Sequence, residues 1–246
     1  MSCCLILVCS CASKKDIFYM QDAEKYNETA ISYTNAKIQP NDVLRINVSA
    51  LIPESTLPYN KVSSSTGNAS IELMQLDGYL VSEDLTINFP VLGVLSVADK
   101  TTQEFGAFLK HKLETEGHLK NPSIDVRLVN AKVTVLGEVN HPGTFNFTEQ
   151  NITLLQALGY AGDLTINGKR EDILMMRDDN GVRKITHIDL TTSDWLDGEF
   201  YYIKPNDMIV VNPNEPKVKS AGFIGNVGTV LSVVSILLTT VVLITN

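Results

Sequence analysis

Ile38-Gln39-Pro40-Asn41-Asp42-Val43-Leu44-Arg45-Ile46-Asn47-Val48 is the stretch on which the fold turns. Pro40 presets φ for a turn and Asn41 tolerates left-handed backbone. Leu44, Ile46 and Val48 then alternate with polar residues, so the turn feeds a strand with one apolar face. The phrase returns about 165 residues later as Ile203-Lys204-Pro205-Asn206-Asp207-Met208-Ile209-Val210-Val211. Two turn-into-strand units of one design would then bracket the soluble part of the chain. The competing account is two common turns meeting by chance.

Between the brackets the pattern changes twice. Residues 52–70 (IPESTLPYNKVSSSTGNAS) read as an exposed loop, Asp77-Gly78 as a turn, and Leu80–Leu95 as short strands that include Phe89-Pro90-Val91-Leu92-Gly93. Thr101-x-x-Glu104 is a capping box opening a helix, with Phe105, Phe108, Leu109 and Leu113 on one stripe and Gly117 at the stop. After Asn121-Pro122, Ile124, Val126 and Leu128 alternate as a strand. A second unit starts near Lys132 with the strand Val133–Val139. His141-Pro142-Gly143-Thr144 fits a type II turn, with Pro at the first central position and Gly at the second. Thr153–Leu158 forms a short helix closed by Ala161-Gly162, and Ile173–Arg177 pairs with Val182–Ile188 about Asn180-Gly181, a type I′ signal. Two strands, a helix and a hairpin resemble a β-grasp-like unit, so the fold class is α+β.

The ends differ from the middle. Val227–Ile244 (VGTVLSVVSILLTTVVLI) follows the last charge, Lys219. Eighteen helical residues rise roughly 27 Å, near the hydrocarbon thickness of a bilayer, so a C-terminal transmembrane helix is expected. At 100° per residue Gly228, Ser232, Ser235 and Thr239 share one stripe, which Asn246 extends. Val230, Val233, Leu237, Val241 and Ile244 lie opposite. Such a stripe suits close helix–helix packing; it equally suits the wall of a pore, with hydroxyls lining the lumen and aliphatics facing lipid. At the other end, Val8-Cys9-Ser10-Cys11 after the apolar run Cys3–Cys9 resembles a lipoprotein signal. That implies cleavage before Cys11 and its acylation. All four cysteines lie in the first eleven residues, so the processed domains hold no disulfide and no cysteine metal site.

The formal charge of −8, with acids and bases interspersed, argues against nucleic acid. No catalytic, cofactor or metal site is expected. His111, His118, His141 and His187 lack metal-ligand spacing; Asp178-Asp179-Asn180-Gly181 is a hairpin turn rather than a calcium loop; and Gly222-x-x-Gly225-x-x-Gly228 lacks the phosphate-loop spacing. Trp195, Phe200, Tyr201 and Tyr202 could stack on sugar rings, although packing between domains or subunits is the commoner use of such a cluster.

In this order the motifs resemble the polysaccharide export outer-membrane lipoproteins of capsule and exopolysaccharide systems. Ile38–Leu44, Leu76-Asp77-Gly78, Phe89–Gly93, the Thr101–Leu113 helix and Asn121–Val126 are similar to the family's export domain. Val135–Val139, Pro142-Gly143 and Thr153–Gly162 are similar to its soluble ligand-binding β-grasp domain. The family carries Gly-Asp where this chain has Asn41-Asp42 and Asn206-Asp207; Asn is the next best residue for left-handed φ. The resemblance implies a division into signal peptide (1–10), lipidated tether (11–36), export domain (37–130), β-grasp domain (131–219, closing strand 203–211) and transmembrane helix (220–246). It further implies a homo-oligomeric ring in the outer membrane of a Gram-negative bacterium, with the soluble domains in the periplasm. The ring would carry a polysaccharide and dock to an inner-membrane copolymerase or tyrosine kinase. A non-enzymatic channel is thus expected, with a lipid- and helix-anchored periplasmic scaffold as the alternative.

Overall fold

A computed structural model describes residues 17–26, 28–31, 33, 35–61, 75–179, 181–220 and 227–245. The signal peptide and Cys11 lie outside the described residues, as do Gly222, Gly225, Asn180 and Asn246 and the side chain of Val230.

The expected turn opens the first unit. Asn41 adopts φ 68°. The Gln39 N–H donates to Asp42 Oδ2 at 2.9 Å, and the Asp42 N–H returns to the Gln39 carbonyl at 3.2 Å. Strand β1 (Val43–Ser49) follows, with Leu44, Ile46 and Val48 buried and Arg45, Asn47 and Ser49 exposed. It pairs antiparallel with β2 (Tyr79–Leu80) and with β5 (Ser123–Leu128), matching Leu44 to Leu128 and Ile46 to Val126. Thr86–Phe89 (β3) and Gly93–Ser96 (β4) form a separate hairpin. Helix α1 (Thr102–Thr115) has both halves of the predicted capping box and buries Phe105, Leu109 and Leu113. Phe108, expected on the same stripe, stays 37% exposed, stacked on Phe105 and under the Lys100 ammonium. Gly117, at φ 75°, ends the helix as read.

Part of the expected exposed loop is ordered. Pro53–Tyr59 is a 3₁₀ helix with Thr56 and Tyr59 buried. The Asn60 side chain accepts from the Val48 N–H (2.9 Å) and donates to the Val48 carbonyl (2.8 Å), doing for the end of β1 what a paired strand would do. Residues 62–70 lie outside the described residues.

In the second unit, β6 (Lys132–Gly137) runs parallel to β12 (Met208–Pro213) inside a five-stranded sheet of order β10-β9-β12-β6-β7. Here β7 is Gly143–Asn146, β9 Gly168–Asp179 and β10 Val182–Ile188. Helix α2 (Leu154–Tyr160) carries a second capping box, Thr153 with Gln156, and follows β8 (Ile152–Thr153), which pairs with β11 (Tyr202–Ile203). The first and last strands lie side by side, as a β-grasp-like unit requires. The repeated phrase folds as its twin does: Asn206 has φ 69°, and the Lys204 N–H donates to Asp207 Oδ2 at 2.8 Å.

The type II turn expected at Pro142-Gly143 does not form. Gly143 lacks the left-handed φ and already pairs with Val135 in β7. The left-handed residue is Gly137 (φ 89°), where a Cβ would meet the Val211 carbonyl oxygen at 2.0 Å. Only glycine lets β6 end so close to β12.

Glu215–Ser220 (α3) precedes the terminal helix α4, Val227–Thr245. The helix is where the sequence put it, but among the described residues no helix is long and apolar enough to cross a membrane.

Candidate functional site

Of the segment expected as a tether, residues 17–26 lie across the second unit. The Met20 N–H donates to the Leu190 carbonyl (2.9 Å) and the Gln21 N–H to that of Thr191 (2.8 Å). The Tyr19 hydroxyl donates to Asp163 Oδ1 at 2.5 Å, with the Arg170 guanidinium 5.4 Å from its ring. Burial, then the Asp163 carboxylate, pushes the Tyr19 hydroxyl well above the usual phenol range. Farther along, the Tyr26 hydroxyl donates to Asp197 (2.7 Å), Thr29 donates to Tyr26 (2.9 Å), and the Tyr33 ring stands 5.5 Å from that of Tyr202.

The sequence grouped Trp195, Phe200, Tyr201 and Tyr202; the structure splits them. Trp195 is buried in the 3₁₀ turn Asp194–Asp197, and its Nε1–H donates to the Thr192 carbonyl at 2.9 Å. Phe200 covers the Arg177 guanidinium, 4.6 Å from it. Both are packing residues. Tyr201 and Tyr202 instead stand edge to face, half-buried, and with Tyr26, Glu28, Thr29 and Asp197 line a groove of about 690 Å³.

Arg177 holds that wall in place. Only 1% exposed, it donates to Asp207 through Nε (2.9 Å) and Nη2 (2.6 Å), and to the carbonyls of Glu199 (3.0 Å) and Tyr202 (2.8 Å). Burial pushes the Asp207 carboxyl up, and Arg177 opposes that shift. A buried ion pair contributes specificity of geometry more than net stability, because desolvation offsets much of the attraction. Strand alternation could have exposed this residue: Ile173, Met175 and Arg177 share the inward face of β9. Among the described residues the twin turn has no such partner. Asp42 is 4% exposed, and burial raises its carboxyl to about 6 despite the Gln39 N–H.

A smaller cleft of about 340 Å³ lies between the two units, lined by Asn35, Asp125, Arg127, Glu149 and Gln150 among others. Asn35 bridges it, donating to Gln103 at 3.1 Å and accepting from Asn151 at 3.4 Å.

On α4 the hydroxyls turn inward on the helix itself. Ser232 donates to the Gly228 carbonyl (2.8 Å), Thr239 to that of Ser235 (2.7 Å) and Thr240 to that of Ile236 (2.6 Å). This back-bonding satisfies each donor without water. The opposite face is uncovered: Val233 is 49% exposed, Leu237 61%, Val241 58% and Ile244 79%.

Among the described residues no cluster of three or more His, Cys, Asp or Glu could hold a metal. Asp178 is engaged by Arg183 at 2.8 Å and Asp179 by Lys204 at 2.9 Å; His118 lies against Tyr59, and His187 against Asp172.

The polysaccharide biosynthesis/export protein family model matches residues 31–129, and an SLBB domain matches 132–186. Among curated proteins, the EPS I polysaccharide export outer membrane protein EpsA of Ralstonia solanacearum is 28% identical over 159 residues, 63% of this chain and 41% of that protein. Its namesake from Ralstonia nicotianae is 33% identical over 106 residues, 42% of this chain and 27% of that protein. The chain thus spans less than half the length of these relatives.

Proposed function

Because this chain belongs to the polysaccharide export family, we propose that it is a subunit of an oligomeric outer-membrane channel that carries capsular or extracellular polysaccharide from periplasm to cell surface. The relatives it matches are named outer membrane export proteins, which supports that compartment. The observation that carries the channel reading is α4. Every described side chain from Leu231 to Ile244 is exposed in the single chain, an apolar surface that water would not tolerate uncovered. Copies set side by side in lipid would cover it. In that assembly Val230, Val233, Leu237, Val241 and Ile244 face lipid, while Gly228, Ser232, Ser235 and Thr239 line the lumen. Cys11, when acylated, gives a second anchor, and the periplasmic body docks to an inner-membrane copolymerase. No step of transport demands bond chemistry from the protein.

Single cysteines at Ser232, Ser235 and Thr239, compared with Val233 and Leu237, test the assignment with a water-soluble thiol reagent on assembled protein in cells. The first set reacts and the second does not if the stripe lines a pore; the reverse pattern rejects the wall. A periplasmic scaffold anchored by lipid is the second reading. It predicts no rings in detergent extracts.

A further inference from the structure

Resting on the export reading, we propose that the groove between Tyr26 with residues 28–31 and residues 196–202 is a subsite for an uncharged run of sugars, and that it disfavours uronates. Four observations converge on it. Its walls present tyrosines, Tyr26 being 38% exposed and Tyr201 and Tyr202 half-buried, so each offers ring surface to the C–H face of a sugar. Asp197 and Glu28 supply carboxylate acceptors for sugar hydroxyls, one on each wall, and the chain turns at Gly198 between Asp197 and the Tyr201 and Tyr202 rings. A volume of about 690 Å³ falls inside the size range of small-molecule sites, with room for more than one ring. Finally, the wall is preorganised: Arg177 fixes the Glu199 and Tyr202 carbonyls, and Trp195 backs Tyr201, ring centres 6.0 Å apart.

Charge sets the class of sugar. The described lining holds two acids and no Lys, Arg or His. Lys184 is engaged by Glu199 at 2.7 Å and Arg177 by Asp207, while Lys25, next to Tyr26, is exposed and outside the lining. A carboxylate-bearing sugar would meet two negative charges in the lining and no cation there. The cleft between the units, where Arg127 stands among Asp125 and Glu149, has no such one-sided field. The groove also exists only while the N-terminal segment lies down, since Tyr26, Glu28, Thr29, Ala30 and Ile31 form one wall of it.

Trp195 is the single tryptophan and touches Tyr201 from behind, so its emission reports on the groove. The full chain in detergent is titrated with maltohexaose and with trigalacturonate. Maltohexaose is expected to give a saturable change, and trigalacturonate to bind at least about tenfold more weakly, with the gap narrowing as salt is raised. Tyr202→Ala weakens maltohexaose binding several-fold, while Asp197→Asn narrows the gap. Unchanged ligand-free Trp195 emission in both variants shows that the wall is intact. No saturable change with maltohexaose, equal affinity for both sugars, or binding indifferent to Tyr202→Ala overturns the proposal. If the groove fails while a tag after Asn246 still labels on intact cells, the subsite is wrong and the export reading stands. Binding without labelling supports the subsite and contradicts the export reading.

Discussion

Asp42→Asn is expected to stabilise the first unit at neutral pH and to do nothing in acid. Burial raises the Asp42 carboxyl from 3.8 to about 6. At about 1.36 kcal/mol for each tenfold change in proton affinity, the charged form costs the folded state about 3 kcal/mol once the pH exceeds both values. A carboxyl whose folded value lies above its unfolded one binds its proton more tightly when folded, so stability rises as the pH falls through about 6 toward 3.8 and is level below. Asparagine carries no charge at any pH, and its amide oxygen can still accept the Gln39 N–H now held at 2.9 Å. The gain at pH 8 should therefore approach about 2–3 kcal/mol, fade through pH 6 and vanish near pH 4. Hydrogen exchange at the amides of β1 and α1, followed by mass spectrometry at several pH values, reads this locally, independent of the second unit. An equal loss of protection in Asp42→Asn at every pH would mean that the turn needs the carboxylate charge, and the reasoning from burial would be refuted.

Arg177→Ala should behave in the opposite sense, because it strands the buried Asp207 charge: a loss of about 3–5 kcal/mol, seen in urea unfolding followed by Trp195 emission. The double variant Arg177→Met with Asp207→Asn should recover much of it. Gly137→Ala forces a Cβ to within 2.0 Å of the Val211 carbonyl oxygen and a left-handed φ on alanine. The β6–β12 pairing should separate, with loss of amide protection at Glu138, whose N–H donates to Val211.

Much of this fold could be read from the chain because its signals are local. Pro40-Asn41-Asp42 and Pro205-Asn206-Asp207 each dictate a turn by their own backbone preferences, and both Asn residues take the left-handed φ that the repeat implied. The two capping boxes likewise lie within four residues of sequence. What stayed hidden depends on long-range meetings. The Tyr19–Asp163 bond joins residues 144 apart, so a segment with no strong periodicity read as a tether although it straps the second unit. At Pro142-Gly143 a sound turn signal was outweighed by pairing with Val135, and the special backbone moved to Gly137. The aromatic cluster was visible as composition, but the division between packing Trp195 and groove-lining Tyr202 depends on which neighbours cover each ring. The terminal helix was legible as a helix from its charge-free run. Its surroundings are not a property of one chain: side chains on both faces are exposed alike until copies or lipid distinguish them.

The channel reading meets its most direct test in the position of the C-terminus. A short epitope placed after Asn246 is labelled by antibody on intact cells, with permeabilised cells as the control. Labelling of intact cells is the predicted result, since α4 would then cross the outer membrane with its end outside. Labelling only after permeabilisation would leave that end within an inner compartment, contradict the channel, and make the periplasmic scaffold the correct account.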